Sequence, residues 1–84
     1  MLTNPSKILT LDSVKTGKKV AVKDFAIHEW AGLISRLAYM GILPGTEIEV
    51  VLNENRGPLV IRVRGVEVSM SRGIAKKILV EELE

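Results

Sequence analysis

The sequence predicts a mainly β fold: a small closed barrel of five short strands. One short α-helix stands between the first two strands, and a helical turn precedes the last. Three observations carry this. Apolar and polar residues alternate in stretch after stretch, a single segment repeats with helical period, and turns bearing glycine or proline separate them. With 84 residues, the chain is read as one domain, residues 1–84. A domain of that size buries roughly 60–65% of the surface its extended chain exposes, so the core must be compact and regular.

Residues 1–8 read as a poorly ordered lead-in, where Asn4-Pro5 favours an extended or turn conformation. Thr16-Gly17 reads as a turn. The first strand is "KVAVKDF", with Val20 and Val22 inward and Lys19, Ala21 and Lys23 outward.

The helix signal lies between Trp30 and Met40. Trp30, Leu33, Ile34, Leu37 and Ala38 fall on one helical face. Gly41 suits the left-handed position that ends many helices, and Pro44 prevents resumption. No capping Ser, Thr, Asp or Asn directly precedes Trp30, and Gly32 weakens the first turn, so ordered helix is expected from Gly32 or Leu33.

Three strands follow. Ile48, Val50 and Leu52 share one face of "TEIEVVL"; Leu59, Ile61 and Val63 share one of "PLVIRV"; Val66, Val68 and Met70 share one of "VEVSM". Arg64-Gly65 fits a two-residue hairpin. That loop pairs Val63 with Val66, Ile61 with Val68 and Leu59 with Met70. The earlier hairpin, looped through "NENRGP", would set Leu52 against Leu59 and Val50 against Ile61. Outside, Glu49 would face Arg62 and Glu47 would face Arg64, and a one-residue slip would lose both pairs and turn the apolar set outward. Ser71 to Lys76 can form one helical turn capped by Ser71, and "ILVEEL" is the last strand. Closing the barrel would protect its edges.

The same residues limit the chemistry. There is no cysteine, hence no disulfide, thiol nucleophile or zinc knuckle, which suits a reducing cytoplasm. Nothing places Ser35, His28 and Asp24 together, and no glycine loop is built to cradle phosphate. Neither enzymatic activity nor a cofactor is expected. No apolar run approaches the ~20 residues of a membrane span, and no basic-then-apolar leader opens the sequence, so no direct membrane insertion is expected. Twelve basic residues sit among ten acidic ones, for a net charge of +2. Lys15, Lys18, Lys19 and Lys23 read as a solvated face rather than a nucleic-acid track, and the strands lack base-stacking aromatics.

His28 and Glu29 are weak metal candidates, because a ferrous site commonly takes two His and a carboxylate. Trp30 is expected to plug one barrel end. Tyr39 and Met40 lie off the apolar stripe and suit a contact surface. Arg36 and Arg72 read as ordinary solvated charges.

Taken together, "LDSVKTGKKVAV", "RLAYMGILPGTEIEVV", "GPLVIRVRGVEVSMS" and "AKKILV" resemble the FeoA family, ferrous iron transport protein A. Arg36-Leu37, Met40-Gly41-Ile42, Pro44-Gly45, Pro58, Gly65, Ala75, Ile78 and Val80 stand at matching places, across about residues 9–82. The resemblance implies an SH3-like barrel with the helix inserted between its first two strands. It implies a non-enzymatic cytoplasmic accessory of the FeoB-type GTP-binding iron permease, contacting that membrane protein through its cytosolic domain. With the apolar residues beyond the core stripe, it points to Arg36, Tyr39, Met40 and Leu43 as the partner surface. Self-association stays open. The alternative is a metal-responsive module resembling the C-terminal domain of iron- and manganese-dependent repressors, although no DNA-binding helical segment precedes it here. Two departures stand out. Met70-Ser71 replaces a frequent Leu-Arg, shifting the arginine to Arg72, and "IHEWAG" enters the helix where the family tends to have glycines.

Overall fold

The computed structural model describes residues 7–26 and 31–83. Six strands and two helices follow in order: β1 (Ile8–Thr10), β2 (Lys19–Phe25), α1 (Ala31–Tyr39), β3 (Glu47–Leu52), β4 (Leu59–Val63), β5 (Val66–Met70), α2 (Arg72–Ala75) and β6 (Ile78–Glu82). A 3-10 turn at Leu11–Ser13 follows β1. The strands form one antiparallel sheet in the order β1-β6-β2-β3-β4-β5.

The mainly β architecture matches expectation, with two corrections of detail. The described residues form six strands, not five. The added β1 is only three residues long, too short to display an alternation, and it exists because Leu9 pairs with Val80 on β6. Ile8 thus belongs to the sheet rather than to the lead-in; residues 1–6 of that lead-in lie outside the described residues. Nor do hydrogen bonds close the sheet: β1 and β5 are its two ends. After β5, the single turn of α2 carries the chain away, so β6 pairs with β2 and β1 and never returns to β5.

The alternation read from sequence is the core. Val20 and Val22 of β2, Ile48 and Val50 of β3, Leu59 and Ile61 of β4, and Ile78 and Val80 of β6 are fully buried. Helix α1 adds buried Leu37, with Leu33 and Ile34 packed partly against the cluster. Leu11, Val14 and Ile42, which no periodic stretch announced, are also buried.

The β4–β5 register is the expected one throughout. Arg64 (φ +52°) and Gly65 (φ +82°) both take the positive φ that a two-residue type I′ turn demands. On β3–β4, Glu49 faces Arg62 and Val50 faces Ile61 as expected. A bulge between Val50 and Leu52 then pairs Leu52 with Val60 instead of Leu59, and leaves Leu52 42% exposed. The β3–β4 pairs begin at Glu49; Glu47 lies opposite Ala21 on β2 and lines one hollow together with Arg64. Val66, expected inward, is 61% exposed beside the hairpin turn.

Helix α1 ends as its sequence dictates. Gly41 sits at φ +84°. Ile42 N–H donates to the Leu37 carbonyl (2.8 Å) and Gly41 N–H to that of Ala38 (2.9 Å), the paired bonds of a Schellman ending. A Cβ at Gly41 would also come within 3.3 Å of Arg64 Nε. Ser71 caps α2, its Oγ accepting from Ile74 N–H (3.3 Å). Among the described residues no helix is long and apolar enough to cross a membrane.

Candidate functional site

The sharp helix ending has a consequence for the surface. Because α1 stops at Tyr39 and the chain turns at Gly41, the residues around that corner cannot all follow the core stripe. Ile42 goes in; Tyr39, Met40 and Leu43 stay out, Tyr39 at 94% exposure. The turn beyond is held from both sides. Gly45 N–H donates to the Val22 carbonyl (2.7 Å), and Thr46 N–H to that of Leu43 (2.9 Å). Leu43 N–H in turn donates to Thr46 Oγ1 (3.2 Å). Leu43 is therefore displayed on a fixed loop. Arg36 is exposed one turn earlier on α1.

Two hollows lie between α1 and β5 and share Met40. The wider, about 640 Å³, runs from Tyr39 and Leu43 to Val66 and Val68, with Arg64 at its side. The narrower, about 140 Å³, lies between Leu33 and Arg36 on the helix and Ser69 and Met70 on the strand. The four expected partner residues thus border one apolar depression: Tyr39, Met40 and Leu43 at the wide part, Arg36 at the narrow part. Among the described residues no acidic side chain lines either hollow.

A second cluster was not foreseen. Arg72, expected to be an ordinary solvated charge, is partly buried and spends its guanidinium on three acceptors. Its Nε donates to the Gly57 carbonyl (3.1 Å), Nη1 to the Asp12 carbonyl (3.1 Å) and Nη2 to Asn53 Oδ1 (2.7 Å). Asn53 is the hub. Its Nδ2 donates to the carbonyls of Asp12 (2.9 Å) and Val14 (2.7 Å), and its Oδ1 also accepts from Asn55 N–H (3.0 Å). Thr16 Oγ1 accepts from Asn53 N–H (2.8 Å) and donates to the Asn53 carbonyl (3.2 Å). Two loops and the start of α2, far apart in sequence, are pinned together. An asparagine in a turn-rich loop and an arginine beside a cap were the only local signals, and neither has a period.

The outer face of the sheet carries the expected charges. Arg62 bridges Glu49 (2.9 Å) and Glu67 (2.6 Å). The Glu67 hydrogen bond, and then the Glu49 charge, hold its guanidinium pKa above the ordinary value. Lys15, Lys18, Lys19 and Lys23 are exposed, and Lys23 pairs with Glu81 (3.4 Å). Asp24 Oδ1 accepts from Phe25 N–H (2.7 Å). His28, Glu29 and Trp30 lie outside the described residues, so neither the weak metal candidates nor the barrel plug can be placed. Among the described residues no group of three or more His, Cys, Asp or Glu could hold a metal ion.

The family model of the FeoA domain matches residues 9–82. The chain belongs to the FeoA family. It is 40% identical over 70 residues to a candidate Fe(2+) transport protein A of Methanocaldococcus jannaschii, covering 83% of this chain and 82% of that one. FeoA proteins are accessories of ferrous iron transport and not a known enzyme family. Among solved structures, an iron uptake regulatory protein, FeoA, superposes with a TM-score of 0.81 at 27% identity, over 92% of this chain and 99% of that one. The FeoA of Stenotrophomonas maltophilia, a procaryotic SH3 domain protein crystallised with zinc, gives 0.75 at 21% identity over 86% and 88%. The fold is accordingly SH3-like. A manganese-dependent transcriptional repressor shares that fold at 16% identity, with a TM-score of 0.82, over 95% of this chain and 44% of the repressor.

Proposed function

We propose that this FeoA protein is a non-enzymatic cytoplasmic module that docks on the cytosolic domain of an FeoB-type GTP-binding iron permease and regulates ferrous iron transport. The observation that carries the reading is the exposed apolar corner at the end of α1. Tyr39, Met40 and Leu43 are large apolar or aromatic side chains held outside the buried core. Tyrosine and methionine are among the residue types enriched at protein–protein interfaces. Arg36 supplies a cation at the same surface, and it has no ion-pair partner among the described residues.

The test is retention of the chain on the immobilised cytosolic domain of the permease. The Tyr39→Ala, Met40→Ala double variant should bind at least about tenfold more weakly than the unaltered chain, as expected when central aromatic contacts are lost. Undiminished binding would remove this surface from the interface. The likeness to the manganese-dependent repressor is one of fold, and it supports no separate metal-responsive reading.

A further inference from the structure

The sheet ends at β5, and that end lies beside the apolar depression. The two-residue turn makes Val63 and Val66 the closing hydrogen-bonded pair of the hairpin. Antiparallel alternation then makes Ile61–Val68 and Leu59–Met70 hydrogen-bonded pairs as well, and turns the main-chain N–H and C=O of Glu67 and Ser69 away from β4. Those groups form an open ladder edge. Along it run the two hollows, with α1 as the opposite wall and Met40 common to both. An edge strand facing a helix across an apolar trough is the geometry that receives an extended peptide as an added strand.

The charges select the occupant. Arg64 stands at the wide part and Arg36 at the narrow part. Among the described residues, neither has an ion-pair partner and no acidic side chain lines the trough.

We infer that this chain takes up, as a strand added to the free edge of β5, an extended segment of its partner with apolar residues at alternate positions and acidic residues flanking them. The added strand bonds the main chain of Glu67, and at the narrower end that of Ser69. Its alternate side chains lie against Met40 and the end of α1, and its acidic flanks meet Arg36 and Arg64. This inference rests on the reading that the partner is the permease, and it specifies which chemistry of that partner is grasped.

The experiment compares Glu67→Pro with Glu67→Ala. Proline removes the outward N–H at a sheet edge, a position where the fold tolerates it. Alanine removes the Arg62 ion pair but keeps the N–H. Binding to the permease's cytosolic domain is measured by titration, and amide shifts are followed by NMR on the labelled chain. The expected result is about tenfold or greater weakening for Glu67→Pro, as for loss of an edge hydrogen bond plus a steric block. That weakening is read against Glu67→Ala, which loses the same ion pair but keeps the N–H, and the Glu67 and Ser69 amides are expected among the most shifted in the unaltered chain. Thermal unfolding checks that both variants fold; if Glu67→Pro does not, the amide shifts decide alone.

Binding that shifts only residues of the α1 end and survives Glu67→Pro overturns strand addition while leaving the permease reading intact. Absence of any binding by the unaltered chain overturns that reading and this inference with it. Shifts at Glu67 and Ser69 that grow with the chain's own concentration, without the permease domain, would reassign the edge to a second copy and overturn the proposal.

Discussion

Two regions of this small protein treat their polar and apolar groups in opposite ways. Around Asn53 and Arg72, polar groups from two loops and the start of α2 are drawn inward and bonded to one another. Around Tyr39, Met40 and the free edge of β5, apolar side chains are turned outward, and a strand edge is left open. The first arrangement stabilises the fold, because removing one member strands the others. The second adds little to stability, because the core is complete without it. The difference separates the part of the surface that holds the molecule together from the part that is free to bind.

The contrast can be broken most sharply at Asn53. Asn53→Ala removes two donors and the acceptor used by Arg72, and should destabilise by about 2–4 kcal/mol. Thermal unfolding measures this, and an unchanged melting temperature would refute the hub. Next comes Arg72. Arg72→Ala should cost about 1–3 kcal/mol, and Arg72→Lys should not restore it, since an ammonium cannot reproduce the fork that reaches three acceptors. A double-mutant cycle with Asn53→Ala should show strong coupling; additive effects would mean that the bonds act separately.

On the other side of the comparison, Tyr39→Ala with Met40→Ala should shift stability by no more than about 0.5 kcal/mol per site, while weakening partner binding as described above. A large loss of stability would place these residues in the core's support and remove the contrast. The smallest effect is expected at the exposed cross-strand pair. Reversing Glu49 or Arg62 singly should lower the melting temperature slightly. Reversing both should recover only part of the loss, because a glutamate at position 62 would then face Glu67, the second partner of Arg62. Full recovery would mean that the Glu67 pair contributes nothing.

How far each region was legible follows from the range of its interactions. The helix ending at Gly41, the β4–β5 register and the Ser71 cap are local or near-local, and each is written in a few neighbouring residues. The FeoA signature combines such features; Tyr39 and Met40 stand out as departures from a local stripe, and the resemblance adds Arg36 and Leu43 as partner candidates. The bulge after Val50 was not legible. A bulge is decided by the fit of two strands, and it moved Leu52 out of the expected pairing. β1 was hidden because three residues carry no periodicity.

The sequence by itself determined the alternating strands, the short amphipathic helix, the corner between them and the family, because each depends on the spacing of residue types along the chain. Only the tertiary structure decided that Arg72 is a clasp rather than a loose charge, since its acceptors at positions 12, 53 and 57 come together only after folding. It also decided that the sheet stays open at β5, facing α1 across an apolar trough. Which edge remains unpaired is a property of the whole strand order, and no single segment contains that information.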